Sequence, residues 1–348
     1  MTQTSSNKRI EWVDVAKFIC AFFVIVSHLE TNTKHLGRFF EPFYLNGFLF
    51  LSGYTFRYRP SFPEFLKRKA KQLLIPWLFF GLLVVISGSV YSSDPMAHSG
   101  LLTDLTWFLV QIREKNDAMW FLSALFTAYI PFYFFVRSYL KKKSNGRTFL
   151  YLAVLLILFL LELLYERVFP KDFFFWQTNT LPWHIEYLPT AVFFMFSGYV
   201  FREKIEKHFP EKEPVLFLLL LAVYCVLVYS DRVKSIYNSS LFLFITYNGL
   251  KQILGVAVLV FGVRMLKPNP VVLCMGQNTL IYFGIAHYVN FILQFLIKTV
   301  ASSFYATVLS NELYSMIFSI VLATTTSLLL IIPSGIINRY FPFILGRF

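Results

Sequence analysis

The sequence predicts an all-α, polytopic membrane protein with about ten transmembrane helices and with both termini in the cytoplasm. Composition is the first reason, because 57% of the 348 residues are hydrophobic and 20% are aromatic, with a mean hydropathy of +0.59. Soluble domains do not have this composition, whereas multi-span membrane proteins do. The second reason is that the apolar residues form long runs separated by short polar stretches. A single membrane-embedded domain over residues 1–348 is therefore expected.

The apolar runs number ten and cover the chain from end to end. They lie at 12–29, 40–57, 72–92, 118–137, 148–165, 183–201, 214–230, 241–263, 271–297 and 313–337. If the N-terminus is cytoplasmic, 21 of the 32 lysines and arginines fall in the inner loops and nine in the outer loops. The positive-inside rule gives this excess for ten helices with both ends in the cytoplasm. Topology thereby explains the net charge of +13, so no nucleic-acid partner is expected.

The sequence carries no signal for a metal, a nucleotide-binding loop or a common soluble-enzyme motif. The cysteines, Cys20, Cys225 and Cys274, lie singly in apolar segments without metal-ligand spacing, so they are expected to be packing residues. The patterns H-E-x-x-H, Walker A, G-x-S-x-G and G-x-G-x-x-G are absent. The ionisable residues inside the apolar segments remain as the candidates for function.

The first segment carries ionisable side chains at both ends of its apolar middle. Lys17 and His28 lie about 20° past three full helical turns from each other, on one face and roughly 16 Å apart, with Asp14 on the same side. Charges at membrane depth are costly, so this face is expected to look into protein or water. Asp14 and Lys17 either form an ion pair or face an anionic donor. His28 is suited to accept a proton from a hydroxyl, or it links helices by hydrogen bonds.

A basic stretch leads into the third segment. Arg68 and Lys71 are three residues apart and are therefore neighbours on one helix face. Together they suit the phosphates of a nucleotide-bearing cofactor, Arg68 through a bidentate fork and Lys71 as a point charge. The alternative is that the whole stretch is a positive-inside cluster that only fixes the topology.

Further polar and aromatic residues are candidates for binding a substrate from the outer side. They are Glu30, just after the first segment; Trp120, in the fourth; His184 and Glu186, in the sixth; and Tyr282 and His287, on the polar stripe of the ninth. Trp120 is equally explained as an interfacial anchor, and His184 and Glu186 as rim residues. A polar stripe in a membrane helix needs partners, and an interior cavity supplies them.

Two short stretches of the chain resemble each other. Phe50–Phe56 and Phe196–Phe201 both contain Ser-Gly-Tyr, and both end an apolar segment on the cytoplasmic side. Small residues at such positions let helices approach closely. Chance in so biased a composition and an ancient duplication explain the similarity equally well.

Several stretches, in chain order, resemble the membrane acyltransferase 3 family. Asp14-Val-Ala-Lys17 with His28 is similar to the family's (Arg/Lys)-x10-His first helix, and Phe48-Leu-Phe-Leu-Ser-Gly53-Tyr to its Phe-Phe-Leu-Ser-Gly-(Tyr/Phe) second helix. Arg68-x-x-Lys71 before Pro76 is similar to its Arg-x-x-Arg motif. Met119–Leu122 and the run from Gly276 to His287 are similar to its fourth and late helices. The Trp-Ser-Leu-x-x-Glu motif of the O-antigen-modifying branch is absent. No extracytoplasmic SGNH hydrolase-like domain is expected after the tenth helix, which favours the stand-alone branches.

The resemblance implies transfer of an acyl group, usually acetyl from cytoplasmic acetyl-CoA, to a hydroxyl of a cell-surface glycan or lipid-linked precursor. His28 then matches the family's essential histidine, while Lys17, Arg68 and Lys71 match positions linked to donor binding. The implied location is the bacterial cytoplasmic membrane, with the lipid bilayer, acyl-CoA, the glycan acceptor and glycan-assembly proteins as partners. No metal is implied.

Two other classes of protein fit the same residues. A polysaccharide exporter or flippase that modifies nothing also uses intramembrane charges and aromatic-lined cavities. Against this class, the chain shows no pair of Gly/Pro-broken helices in matching halves. A structural membrane subunit of a glycan-assembly complex is the third class. Binding or hydrolysis of acetyl-CoA separates the enzyme from both.

Overall fold

The computed structural model describes residues 10–91, 100–113, 115, 119–141, 145–209, 213–238 and 240–347. In these ranges the regular secondary structure is entirely helical, which confirms the all-α part of the predicted fold class. The α-helices are α1 (Glu11–Ser27), α2 (Lys34–Phe40), α3 (Tyr44–Tyr54), α4 (Phe62–Tyr91), α5 (Leu101–Val110), α6 (Trp120–Lys141), α7 (Asn145–Val168), α8 (Leu188–Val200), α9 (Pro214–Tyr229), α10 (Asp231–Asn238), α11 (Leu241–Met265), α12 (Pro270–Gln277), α13 (Thr279–Val300), α14 (Ser302–Ser310), α15 (Glu312–Leu329) and α16 (Ile331–Tyr340). A 3₁₀ segment, Pro182–Tyr187, leads into α8, and a π-helical turn, Phe201–Ile205, follows it.

Six stretches in the described residues are long and apolar enough to cross a membrane. They are Phe62–Gly88, Trp120–Lys141, Gly146–Val168, Leu241–Met265, Thr279–Val300 and Glu312–Tyr340. A multi-pass membrane protein is thus supported, although ten crossings were expected. The other four predicted segments correspond to α1, α3, α8 and α9, which contain 17, 11, 13 and 16 residues. Each is shorter than the roughly 20 residues that a straight crossing takes.

Three of these short helices form the interior of the bundle. Most residues of α3 and α8 are buried, from Asn46 to Leu51 on α3 and from Thr190 to Phe196 on α8. The long helices instead turn large apolar side chains outward, as Leu78 and Phe79 on α4 do. In a bilayer such side chains face lipid, so the long helices shield the short ones.

Glycines let the inner helices approach each other closely. A Cβ added at Gly53 on α3 would overlap the carbonyl of Met195 on α8, and one added at Gly198 on α8 would overlap the carbonyl of Phe50 on α3. The crossing is therefore reciprocal, with each glycine against the other helix's backbone. Only a residue without a side chain fits at such a contact.

Helix α1 is held along its length by neighbours at similarly small residues. A Cβ at Gly276 of α12 would overlap the carbonyl of Asp14, and one at Gly47 of α3 would lie 2.8 Å from Cys20 Sγ. Helix α1 ends at Ser27, two residues before the predicted segment does. His28 is its C-cap, and the His28 backbone N–H donates to the carbonyls of Ile25 and Val26, which tightens the last turn.

Candidate functional site

A cavity of about 750 Å³ opens at the end of the bundle where α1 begins and where α3 and α8 end. We call this the basic end. The cavity is lined by Ile10, Val13, Asp14, Lys17, Tyr54, Thr55, Arg57, Tyr58, Tyr199, Arg202 and Glu203. The C-termini of two helices meet there, and the partial negative charge at a helix C-terminus favours nearby cations. That electrostatic preference accounts for arginines just beyond both helices.

A second cavity of about 290 Å³ adjoins the first and shares Thr55 and Arg57 with it. Its lining combines the loop after α3 with the first turns of α4: Thr55, Phe56, Arg57, Arg59, Phe65, Arg68 and Lys69. Together the two cavities present six cations, Lys17, Arg57, Arg59, Arg68, Lys69 and Arg202, against two carboxylates, Asp14 and Glu203. Such an imbalance raises the local concentration of anions and suits a phosphorylated ligand.

The structure places Asp14 and Lys17 in the larger cavity, next to each other. Lys17 Nζ lies 3.6 Å from Asp14 Oδ1, with side-chain exposures of 30% and 3%. The Lys17 ammonium therefore compensates the charge of the buried Asp14 carboxylate, which would be unfavourable alone, and it still lines the cavity. Both predicted roles, the ion pair and contact with an anionic donor, are compatible with this geometry.

Arg68 and Lys71 are not brought together in one cavity. Arg68 lines the smaller cavity with Phe65 and Lys69, whereas Lys71 lines neither cavity. On a helix, Phe65 and Lys69 lie about 60° and 100° to one side of Arg68, while Lys71 lies about 60° to the other side. On α4 a C-terminal glycine, Gly346, packs against the Lys71 carbonyl. Arg68 and Lys69 therefore line one cavity together, whereas the phosphate contact of Arg68 and Lys71 stays a prediction.

Sequence reasoning missed four of the six cations, namely Arg57, Arg59, Lys69 and Arg202. Arg57 and Arg202 extend the two similar stretches to Ser-Gly-Tyr-x-Phe-Arg, residues 52–57 and 197–202. That longer repeat is the signal that identifies them. Arg59 and Lys69 carry no such signal, because only the fold brings the α3–α4 loop against α4.

The opposite end of α1, which we call the histidine end, holds the predicted base. His28 is exposed and lines neither cavity. Its imidazole is close enough to that of His287 on α13 for an electrostatic interaction. Asn290, one turn further along α13, donates to the Ile25 carbonyl at 3.5 Å. The fold thus joins the predicted histidines of the first and ninth segments, roughly 16 Å along α1 from Lys17.

Two other predicted residues, Glu30 and Tyr282, already have structural partners. The Glu30 carboxylate accepts from Lys298 Nζ at 2.5 Å, and the Glu30 backbone N–H donates to Gln294. Tyr282 is 1% exposed, and its hydroxyl donates to the Ser327 carbonyl at 2.8 Å. Glu30 thereby ties the loop after α1 to α13, and Tyr282 ties α13 to α15.

The remaining predicted residues form an aromatic cluster at the histidine end. The Trp120 ring lies 5.1 Å from the His184 ring and 5.9 Å from that of Tyr187, with the Arg113 guanidinium 5.7 Å away. Glu186 Oε1 lies 3.7 Å from His184 Nδ1, and its other oxygen accepts from the Leu181 backbone N–H at 2.8 Å. A carboxylate so placed favours a proton on Nδ1 and leaves Nε2 as an acceptor.

The backbone under this cluster is strained. Trp183 and His184 both have left-handed φ angles, 57° and 54°, and Met119, just before Trp120, has a φ of 59°. His184 is 1% exposed, and its Nε2 has no hydrogen-bond partner within the described part of the chain. Such strain costs about 1–3 kcal/mol per residue and clusters at sites that bind or react. We therefore regard the cluster as a candidate ligand site.

No set of three histidine, cysteine or acidic residues able to hold a metal ion is present among the described residues. The helices and the two ends of α1 define a helical membrane protein with a cationic cavity at one end of α1 and a histidine at the other.

Comparison with known families agrees with this class. The family model for the acyltransferase 3 domain matches residues 10–333, which is nearly the whole chain. The chain therefore belongs to the acyltransferase 3 family, and its fold and family support membrane acyltransferase activity in general. Neither a curated protein nor a solved structure matches the chain.

Proposed function

We propose that this protein is an O-acyltransferase that moves an acetyl group from cytoplasmic acetyl-CoA to a hydroxyl of a cell-surface polysaccharide or lipid-linked glycan. The observation that carries the proposal is the cationic double cavity at the basic end, built on the same helix as His28. The cationic double cavity suits a thioester donor with several phosphates, and an alcohol acceptor needs a base such as His28.

On the donor side, phosphates of acetyl-CoA bind Arg68 and its neighbours in the smaller cavity. Lys17 on α1, paired with Asp14, lines the larger cavity, which lies next along the path of the donor towards His28. Lys71 acts from outside the cavities by raising the local positive potential. The acyl-bearing arm then extends along α1 towards His28.

On the acceptor side, His28 acts as the general base. It takes the proton of the acceptor hydroxyl as the oxygen attacks the thioester carbonyl. The C–S bond breaks, and the departing thiolate takes up the proton that His28 removed from the hydroxyl, so that free CoA leaves and His28 returns to its neutral form. Because His28 is exposed, an acceptor from the outer side has access to its imidazole.

The aromatic cluster is proposed to bind the glycan. Trp120 offers an aromatic face, and His184, beside Glu186, offers to a sugar hydroxyl an Nε2 that has no hydrogen-bond partner among the described residues. His287 lies beside the base, and Glu30 borders it. Tyr282 is proposed to support α13 rather than to contact the acceptor, because its hydroxyl is already bonded to the Ser327 carbonyl.

The proposal includes the topology. The four short helices complete ten crossings, so that both termini and the basic end are cytoplasmic and the histidine end faces outward. A bacterial cytoplasmic membrane, with glycan-assembly proteins nearby, is the expected setting. Single-cysteine labelling of the loops from either side of sealed vesicles tests each crossing, and labelling of the α3–α4 loop from outside intact cells would contradict it.

The enzymatic test uses purified protein in nanodiscs with radiolabelled acetyl-CoA and glycan from cells lacking the gene. Wild-type protein is expected to transfer label, and His28→Gln to lose about 10²- to 10⁴-fold in rate, which is the usual contribution of a general base. Stability should not change, because the side chain is exposed. Wild-type transfer rates in His28→Gln would remove the assignment, and glycan transport without acetyl-CoA consumption would favour an exporter.

A further inference from the structure

The basic end is built from one short sequence that occurs twice. Residues 52–57 read Ser-Gly-Tyr-Thr-Phe-Arg and residues 197–202 read Ser-Gly-Tyr-Val-Phe-Arg, identical at five of six positions. The glycine of each copy contacts the backbone three residues before the glycine of the other, at Met195 and at Phe50. The two copies therefore meet around a local two-fold relation, and equivalent residues occupy equivalent places at the cavity.

The arginines that end the two copies, Arg57 and Arg202, have different surroundings. Arg202 Nη1 donates to the carbonyls of Tyr54 and Phe56 at 2.6 and 2.7 Å, and Nη2 donates to the Glu203 carboxylate at 3.1 Å. Its guanidinium is thus used to satisfy carbonyls at the C-terminus of α3, which would otherwise lack partners. In the second copy, the arginine therefore has a structural role.

Arg57, in the first copy, is exposed and makes no hydrogen bond or ion pair with any described residue. It lines both cavities, so together with Thr55 it lies where they adjoin. On the smaller-cavity side, Arg59 and Arg68 also have no acidic partner within the described ranges. Three guanidinium groups around one small cavity favour an anion there, and a guanidinium fork suits a phosphate.

We propose that Arg57 binds the diphosphate of the donor where the two cavities adjoin, with the nucleoside end in the smaller cavity and the arm in the larger one. Arg202 is its structural twin and holds the crossing in place. The identity of the donor rests on the proposed function, whereas the diphosphate site rests on the geometry of the two cavities alone.

The test measures binding of radiolabelled ADP to the full-length protein in nanodiscs, with pyrophosphate and CoA as competitors. In Arg57→Gln, all three ligands should bind about tenfold more weakly or worse, because a charge-assisted bidentate contact is lost, and the melting temperature should not change. Arg57→Lys should be intermediate, since it retains charge without the fork. Arg59→Gln removes the same charge from the same cavity, and it should weaken ADP binding by less than about threefold.

Arg202→Gln is the matched control from the other copy. It should lower the melting temperature, because two carbonyls lose their donor, and any loss of ADP binding should follow that loss of stability. Equal ADP affinity in wild type and Arg57→Gln would overturn the proposal, as would wild-type protein that binds neither ADP nor pyrophosphate. Arg57-dependent ADP binding without acetyl transfer would keep this site and refute the proposed function.

Discussion

Replacing Gly198 by alanine tests whether the crossing of α3 and α8 holds the basic end together. The added methyl would lie 2.8 Å from the carbonyl carbon of Phe50 and 2.9 Å from the backbone nitrogen of Tyr54, and closer still to the Phe50 oxygen. All three are backbone atoms, so no side chain can rotate away. The two helices must separate, and every contact between them must lengthen.

The magnitude follows from two opposing terms. Overpacking of a tight contact costs typically about 1–3 kcal/mol. Alanine in a helix recovers about 0.5–1 kcal/mol relative to glycine. Gly198→Ala should therefore lower the unfolding free energy by up to about 2.5 kcal/mol, with the cost near its upper end because the methyl meets only backbone atoms. Gly335 lies at an exposed position of α16, where an added Cβ meets nothing within 4 Å. Gly335→Ala should therefore only raise the unfolding free energy, by the helix preference of alanine over glycine.

The assay is thermal unfolding in detergent, followed by the reaction of a thiol-specific fluorophore with Cys20, which is buried in the folded protein. The same samples are tested for ADP binding, because separation of α3 and α8 displaces Tyr54 and Tyr199 at the cavity wall. Gly53→Ala should behave like Gly198→Ala, and the double variant should be less than additive, since both act at one crossing. Unfolding of Gly198→Ala at or above the Gly335→Ala temperature would refute the reasoning.

Three further substitutions separate structural from functional roles. Tyr282→Phe should cost about 1 kcal/mol of stability by removing one hydrogen bond, with transfer activity retained; activity lost at full stability would show direct contact with substrate. Lys298→Met should change the melting temperature little, because its bond to the exposed Glu30 carboxylate belongs to a class worth at most about 1 kcal/mol; a large loss would show that the loop after α1 depends on it. Arg68→Gln should weaken CoA binding more than Lys71→Gln does, because only Arg68 lines a cavity; equal losses would contradict that placement.

The apolar pattern of the sequence was sufficient for the fold class but not for the arrangement of the helices. Each predicted segment contains a helix, because runs of apolar residues in a membrane have to satisfy their backbone groups within the segment. Hydropathy does not distinguish a helix that faces lipid from one enclosed by other helices. The segments of α1, α3 and α8 are of the second kind, and their shortness becomes apparent only when their neighbours surround them.

Helical periodicity placed Asp14 and Lys17 together correctly, since residues three apart on one helix must be neighbours. The same rule applied to Arg68 and Lys71 gave a neighbouring pair but not a shared cavity. Periodicity states which residues share a face, whereas the position of the cavity depends on what packs against that face. Here the α3–α4 loop covers one side of α4, and the C-terminal glycine packs on the other.

The repeated Ser-Gly-Tyr-x-Phe-Arg stretch shows how a weak sequence signal gains meaning from contacts. A six-residue similarity in an aromatic-rich chain has little weight alone. The contacts of Gly53 and Gly198 are reciprocal at the level of single residues, so the two copies occupy equivalent places at one crossing. Once the copies are related, Arg57 and Arg202 become an internal comparison: the same residue at the same place, one bound to backbone carbonyls and one free. The proposed diphosphate site rests on this difference: Arg57 has no hydrogen-bond partner among the described residues, at a position where Arg202 is bonded to two carbonyls.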